Sequence, residues 1–255
     1  MIKREELLRI ALLKGLPPRF AELDYIQDIA LLGIYREFGN MLVFKGGTCL
    51  YKLHSLNRFS EDLDFTARKG FKPRDFFMRL PYFFSLLNIN SKVKVEKFQH
   101  SVNVYLEISG PLYDGRKETR SRLILNISLR ERVFFPPLRS LYTSLYYEVR
   151  PFDLYAMEEK EILAERIRAV HQRNKARDVY DLWYLLTVKN TPVDFTLVQK
   201  KLSYLGLRFN ADTFLRKLQE KKQGWQTDLS ALVSGQLPLF SQAEEEIQQR
   251  FKNYH

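Results

Sequence analysis

One stretch of the chain, FKGGTCLYKLHSLNRFSEDLDF, combines residue types that bind phosphate and metal ions. Gly46, Gly47 and Thr48 come first, basic residues follow, and Asp62 and Asp64 close the stretch with a leucine between them. Glycines beside a hydroxyl group let backbone N–H groups approach a phosphate closely. Two carboxylates on one side of a strand repel each other unless a cation lies between them, and Mg²⁺ bound to nucleotide phosphate suits such oxygen ligands. The pattern therefore predicts a site for a nucleoside triphosphate and a divalent metal.

Each of these signals also has a plainer explanation. A Gly-Gly-Thr sequence is often only a tight turn, no GxxxxGK[ST] phosphate loop is present, and the third glycine of a dinucleotide fingerprint is missing. Asp62 and Asp64 could be exposed acids at a strand end, paired with Arg58 or Lys52. The metal–nucleotide interpretation gains weight because the glycines, the hydroxyl group and the two acids occur together.

The charge of the chain favours a polyanionic partner. The formal net charge is +11 and the isoelectric point is about 9.6. A cationic excess of this size suits nucleic acid or nucleotide phosphates, although a Lys/Arg-rich surface is also found on heat-stable proteins.

Composition excludes several other classes of protein. The 255 residues are 45% hydrophobic, enough for a large core, yet no apolar run approaches the length of a membrane span. The segment MIKREELLRIALLKG predicts an amphipathic helix and not a secretion signal. Cys49 is the only cysteine, which excludes disulfides and thiolate zinc sites. The histidines lack ligand spacing: His54, His100, His171 and His255. We expect a cytoplasmic protein with no membrane contact.

The hydrophobic pattern predicts the elements that position these residues. A helix over 19–38 precedes the buried strand MLVF, KGGT is the turn that leaves it, and TCLYKLHSL is a short helix. The alternating strand DLDFTA places Asp62, Asp64 and Thr66 on one face. After a helix that starts at Pro73 and bends at Pro81, three more strands are predicted: KVKVEKF, VNVYLEIS and RLILNISLR.

The second half of the chain is predicted to be helical. FFPPLRSLYTS marks the border, YYEVRPFDLYAM adds a last extended piece, and helices follow in MEEKEILAERIRAVHQR and KARDVYDLWYLLT and near 193–204, 210–222 and 240–253. We therefore predict an α/β (α+β) domain over 1–138, with a mixed sheet flanked by helices, and a C-terminal helical bundle over 139–255.

Two separated motifs carry a resemblance to a known family. KGGTCLYKLHSLNRFSEDLDF resembles the nucleotidyltransferase signature of a Gly-Gly/Ser turn followed by Asp-x-Asp on the next strand. EILAERIRAVHQRNKARDVYDLWYLL is similar to a downstream motif of the AbiEii/AbiGii toxin family of type IV toxin–antitoxin systems. The resemblance implies a polymerase-β-like core followed by a helical domain.

The resemblance also implies roles for individual residues. Asp62 and Asp64 would bind Mg²⁺ or Mn²⁺, and Arg166 and Asp181 would complete the catalytic set. The nucleotide triphosphate, which is the substrate, would be bound by a larger group: Lys45, Gly46, Gly47, Thr48, Arg58, Ser60, Arg177 and Asp178. A structural salt-bridge network is an equally good explanation for Asp178.

The chain departs from the family pattern at two positions. Arg166 stands where the family usually has lysine; it keeps the charge but has a different shape. Asn126 stands where similar proteins carry a third metal-binding acid, and an amide is a poorer ligand and no base. Either Asn126 or Glu107 would then complete the metal site, or the activity is reduced.

The expected function is transfer of a nucleoside monophosphate from a nucleoside triphosphate to an acceptor hydroxyl. The resemblance implies RNA as acceptor, with the 3′ end of tRNA the preferred candidate, and an AbiEi-like winged-helix antitoxin as functional partner. Two alternatives stay open: a transferase acting on a small molecule or protein hydroxyl, and a nucleotide- or RNA-binding module without catalysis.

Overall fold

The computed structural model describes residues 1–252, so His255 and the end of the helix expected over 240–253 lie outside the described residues. By their contacts the residues form two compact units, which are described separately. The first contains 1–49, 60–133 and 137–156, and the second contains 50–59, 134–136 and the chain from 157 onward. Within residues 1–252, no helix is both long and apolar enough to cross a membrane.

The first unit is built on a seven-stranded mixed sheet in the order β3-β4-β5-β2-β1-β7-β6. β2 is parallel to β5 and β1 is parallel to β7, whereas the other neighbours are antiparallel. The strands are β1 (Leu42–Lys45), β2 (Leu63–Ala67), β3 (Ser91–Lys97), β4 (Ser101–Ile108), β5 (Ser121–Ser128), β6 (Leu138–Tyr142) and β7 (Phe152–Ala156). The expected mixed sheet is confirmed.

Helices cover this sheet. They are α1 (Arg4–Lys14), α2 (Pro18–Phe38), α3 (Gly46–Leu53), which begins in the first unit and ends in the second, and α4 (Pro73–Leu86). Helix α2 packs on β5, β7 and α4, and α4 packs on β3. Buried and half-exposed residues alternate along β4, which is the pattern of a sheet with one face in the core.

One local prediction differs from the structure. The KGGT segment does not form a separate turn, because Gly46 is already the first residue of α3. Helix α4 continues through Pro81. The expected border segment FFPPLRSLYTS contains β6, which pairs with β7, and both strands belong to the first unit.

The second unit is helical. Its helices are α5 (Glu159–Gln172), α6 (Ala176–Trp183), α7 (Phe195–Leu202), α8 (Ala211–Gln219), the short α9 (Trp225–Leu229), which the sequence did not suggest, and α10 (Phe240–Phe251). Helix α5 packs against α6, α7 and α8, and α10 packs against α6 and α8. Phe209, Phe214 and Phe251 meet in an aromatic cluster with centroid distances of 4.9–5.9 Å.

The contact between α2 and α4 depends on Gly33. A Cβ atom at this position would lie 2.5 Å from Cδ1 of Phe83, whose ring is buried. We expect Gly33→Ala to lower the free energy of unfolding by about 1–3 kcal/mol through overpacking, as measured by urea denaturation. In the Gly33→Ala/Phe83→Leu double variant, the two losses should be less than additive; simple additivity would show that the two positions do not share a contact.

Candidate active site

The carboxylate of Asp64 lies at the centre of the candidate site. β2 runs between β1 and β5, and this register sets Asp64 opposite Lys45 on one side and Asn126 on the other. The amide Nδ2 of Asn126 donates a hydrogen bond of 3.1 Å to Oδ1 of Asp64. The sheet therefore brings together three residues that the sequence proposed for the site.

Gly46, the first residue of α3, makes room for that carboxylate. Gly46 has a φ of +80°, a conformation that residues with a Cβ rarely adopt. A Cβ built there would lie 2.4 Å from Oδ2 of Asp64, which is closer than any real contact. Gly46 is thus required both by its backbone conformation and by the approach of Asp64.

Two polar side chains hold the segment that leads into β2. The hydroxyl of Thr48 is buried and donates to the backbone carbonyl of Asp62. Nε2 of Gln27, a fully buried residue of α2, donates to the carbonyls of Ser60 (2.8 Å) and Glu61 (2.9 Å). Sequence reasoning missed Gln27, although a polar residue within the apolar stripe of α2 was a usable signal.

A cavity of about 290 Å³ opens beside Asp64. Its lining includes Asp64, Asn126, Asn103 and an ion pair in which the amine of Lys45 bonds Glu131. Both side chains of that pair are mostly buried. Neither Asn103 nor Glu131 was expected at the site. Asn103 reaches it through the pairing of β4 with β5, and Glu131 through the loop that follows β5.

The donor set around Asp64 fits magnesium. Asp62 and Asp64 are half-buried on either side of buried Leu63. Asp64 lies in β2 and lines the cavity, whereas Asp62 lies in the bend just before the strand. In the part of the chain that the structure describes, Asp64 makes no ion pair, and no cluster of three or more His, Cys, Asp or Glu is arranged for a metal. Mg²⁺ commonly uses one or two carboxylates and takes its remaining oxygens from water and phosphate, so two suffice.

Glu107 does not reach this group. It lies on β4 four residues beyond Asn103, the residue opposite Asn126, a separation of about 13 Å along the strand. It lies opposite Arg122 and approaches its Nε to 3.6 Å. Of the two expected candidates for a further metal ligand, only Asn126 is beside Asp64.

A second group of predicted residues forms a buried ion-pair network inside the second unit. Arg58 is 1% exposed and bonds both oxygens of Asp181 at 2.8–2.9 Å. Arg166 bridges the two acids, bonding Oδ1 of Asp178 at 2.9 Å and Oδ2 of Asp181 at 3.1 Å. The half-exposed Arg173 also binds Asp178. The network satisfies these carboxylates internally, and their expected contact with a nucleotide stays a prediction.

Burial and charge act in opposite directions on Asp178. Burial alone would raise the pKa of its carboxyl, but Arg166, Arg173 and Arg177 together lower the pKa below its ordinary value of 3.8. Arg177 is half-exposed on α6 beside Asp178. The carboxylate is therefore charged at neutral pH and contributes to the stability of the fold.

Comparison with known proteins decides the family. A family model described as nucleotidyl transferase AbiEii toxin, type IV TA system, matches residues 30–253. The chain belongs to this family. The match covers both motifs that carried the resemblance, which it confirms, and the AbiEii family implies a nucleotide substrate and an antitoxin partner. No curated protein matches the sequence.

Solved structures share the fold. MenT4, a nucleotidyltransferase toxin from Mycobacterium tuberculosis H37Rv, superposes with a TM-score of 0.68 at 19% identity, over 99% of this chain and 89% of that one. JHP933 from Helicobacter pylori gives a TM-score of 0.62 at 18% identity, over 92% and 91% of the two chains. At these identities the likeness establishes the fold alone.

We expect Gln27→Leu to loosen the segment that carries the acids, because two carbonyls lose their donor. The free energy of unfolding should fall by about 1–3 kcal/mol, and amide hydrogen exchange of the peptide spanning 59–65 should accelerate. Gln199→Leu is a matched control, since Gln199 also donates to a backbone carbonyl, that of Leu207, in the second unit. Unchanged exchange in 59–65 for Gln27→Leu would contradict the assigned role.

We expect Asp178→Asn to destabilise the protein in a pH-dependent way. At pH 7 it should cost about 3–5 kcal/mol, because buried arginines lose a counter-charge. Since the folded pKa is lowered, the contribution of the carboxylate is complete above about pH 4 and is lost as the pH falls through the folded value. The difference in free energy of unfolding between Asp178→Asn and wild type, measured by urea denaturation, should therefore become smaller below pH 4. The exposed Asp212→Asn is the control and should show a change within about 0.5 kcal/mol.

Proposed function

We propose that this AbiEii-family protein is a Mg²⁺-dependent nucleotidyltransferase that moves a nucleoside monophosphate from a nucleoside triphosphate to RNA. The observation that supports this most directly is the position of the Asp64 carboxylate: it lies against Gly46 at the start of α3 and lines a polar cavity. A metal ion held by this carboxylate would lie beside backbone N–H groups that suit phosphate.

Asp62 and Asp64 would hold the metal, Mg²⁺ or Mn²⁺, with the amide oxygen of Asn126 as a weak third ligand. The bound metal would supply charge neutralisation at the phosphates. Asn126 presents its N–H to Asp64 in the structure, so it would have to turn its amide to offer oxygen.

The triphosphate would lie at the start of α3. The first N–H groups of a helix have no intrahelical acceptor, and those of α3 belong to Gly46, Gly47 and Thr48. Ser60, 8% exposed, precedes the two acids by a short segment. The parts played by Arg58, Arg166, Arg177, Asp178 and Asp181 at the nucleotide rest on the family resemblance.

The reaction exchanges one phosphoanhydride bond for one phosphate ester bond. The acceptor hydroxyl oxygen forms a bond to the α-phosphorus, the bond from that phosphorus to the bridging oxygen breaks, and pyrophosphate leaves with the bonding electrons. Asp64, the carboxylate that lines the cavity, would accept the proton of the hydroxyl. Asn126 cannot take that role because an amide is not a base.

RNA is the acceptor class that suits the chain best. The net charge of +11 favours a polyanion, and the 3′ end of tRNA offers a free hydroxyl. Inhibition of the host by such modification, with a winged-helix antitoxin as functional partner, would match the type IV toxin family to which the chain belongs.

The test is incubation of the full-length protein with α-labelled nucleoside triphosphates, Mg²⁺ and total cellular RNA. We expect label in tRNA. Asp64→Asn should lower the rate at least about 100-fold, because loss of a metal ligand removes several kcal/mol of charge stabilisation. Asn126→Asp restores the acid of the family pattern and should increase both the rate and the affinity for Mg²⁺.

The other outcomes separate the alternatives. Label in a protein or a small molecule would show that the acceptor is that molecule and not RNA. Binding of nucleoside triphosphate without turnover, unaffected by Asp64→Asn, would indicate a module that binds nucleotide without catalysis. Glu118→Gln is the control for loss of a negative charge, because Glu118 is an exposed acid elsewhere in the first unit. This variant should leave the rate unchanged.

A further inference from the structure

Strands β3, β4 and β5 turn one side away from helix α4. The amine of Lys97 lies 5.6 Å from the ring centroid of Phe77 on α4, which places the odd-numbered residues of β3 on the helix side. Lys92 and Lys94 alternate with them and are exposed on the other side. A cavity of about 620 Å³ lies on this side of the three strands.

The register of the strands arranges this exposed side in three rows. Each row takes one residue from β3, one from β4 and one from β5: Lys92–Glu107–Arg122, Lys94–Tyr105–Ile124 and Glu96–Asn103–Asn126. The first two rows line the cavity, together with Glu96. We call these three rows the strand platform.

The strand platform is continuous with the candidate active site. Asn126 ends the third row and is the direct neighbour of Asp64 on β2. Tyr105 lies one strand across and two residues along from Asn126, a diagonal step of about 7–8 Å. A chain that runs along these rows to Asp64 passes over Tyr105.

The side chains of the strand platform suit a single strand of nucleic acid. Tyr105 is half-exposed and Ile124 lies beside it, which offers a base one aromatic and one apolar surface. Lys94 and Arg122, with side chains 74% and 68% exposed, lie on either side of this pair and can reach phosphates. The Lys94 amine is 5.8 Å from the Tyr105 ring centroid.

Two acids limit the positive charge of the surface. Glu96 accepts from the Tyr105 hydroxyl at 3.0 Å and pairs with Lys94 at 2.8 Å, and Glu107 faces Arg122. Binding to this surface should therefore depend on stacking more than on charge, and its affinity should fall only gradually with added salt.

Protection of the sheet edge explains only part of this composition. Lysines on an edge strand such as β3 discourage pairing with other chains. Tyr105 and Arg122 lie on the inner strands β4 and β5, where that explanation does not apply. Their presence on the same side, in rows that lead to Asp64, favours a ligand-binding role.

We propose that the strand platform binds the single-stranded end of the acceptor RNA, with a base stacked on Tyr105, and so directs the terminal hydroxyl to Asp64. The inference rests on the proposed function, which it deepens by naming where the acceptor lies.

The probe is a short, fluorescently labelled single-stranded RNA with a free 3′ hydroxyl, titrated with the full-length protein without nucleotide and followed by anisotropy. Tyr105→Ala should weaken binding about 10- to 100-fold, and Tyr105→Phe should retain it because the ring remains. Tyr105→Leu keeps apolar volume without a π face and should also bind weakly, which separates stacking from packing. Circular dichroism checks that each variant is folded.

Charge variants test the phosphate contacts. Lys94→Gln/Arg122→Gln should weaken binding and lower the slope of log affinity against log salt by roughly 0.7 for each phosphate that the variant no longer neutralises. Lys3→Gln/Lys69→Gln removes the same charge from exposed lysines outside β3–β5 and should bind as wild type. In label-transfer assays, Tyr105→Ala should raise the KM for RNA and leave the affinity for nucleoside triphosphate unchanged.

Failure of this inference and failure of the proposed function give different results. Wild-type affinity and KM for RNA in Tyr105→Ala, with label transfer intact, would overturn the strand platform and leave the transferase in place. Loss of RNA affinity in Tyr105→Ala, in a protein that transfers no label to any acceptor, would keep the platform and overturn the transferase. The inference would also be overturned if the wild-type protein bound no RNA. It would be overturned as well if Tyr105→Ala lost binding to the antitoxin and kept its affinity for RNA.

Discussion

The close approach of Asp64 to Gly46 is the constraint on which the candidate site depends. A carboxylate oxygen occupies the space where any other residue at position 46 would carry its Cβ. Glycine is therefore required there as long as the strand register holds Asp64 opposite Lys45. The rings of Phe44 and Phe65, 5.5 Å apart on paired strands, help to fix that register from the core side. A shift of one residue would turn Asp64 into the core and Phe65 out of it.

Asp64 and Asp181, one acid from each motif, lie in opposite environments. Asp181 is fully buried and held by two guanidinium groups, and such a pair leaves few lone pairs for a ligand. Asp64 has a neutral amide as its neighbour and keeps the rest of its carboxylate for the cavity. Similar short acidic motifs, Asp-x-Asp and Arg-Asp-x-x-Asp, thus end in different environments. The difference comes from the partner residues that the fold brings to each acid, and it cannot be read from the motif sequence alone.

Local patterns predicted much of the fold, and long-range partners explain what was missed. Alternation identified β2, β4 and β5, and the polar face with Asp64 and Asn126 followed from it. β6 was missed because its short sequence, LRSLY, becomes a strand only by pairing with β7. Gln27 and Glu131 were missed for a related reason: one acts from a helix distant in sequence, and the other reaches Lys45 from the loop after β5. Gln27 interrupts the apolar stripe of α2, but the partner of neither residue can be read from local periodicity.

The hydrogen bond from Asn126 to Asp64 affects two properties of the candidate site: the orientation of the carboxylate and the affinity for a metal ion. A carboxylate at this position would lie within hydrogen-bond distance of Asp64, and the two like charges would repel until a cation arrived. The amide instead donates a hydrogen bond, so Asp64 is oriented before any metal binds. In the proposed metal site the expected consequence is weaker metal affinity, because an amide contributes less to a divalent ion than a carboxylate does. Nucleotide phosphates bring their own charge to the ion, so we expect metal and nucleotide to bind together more readily than metal alone.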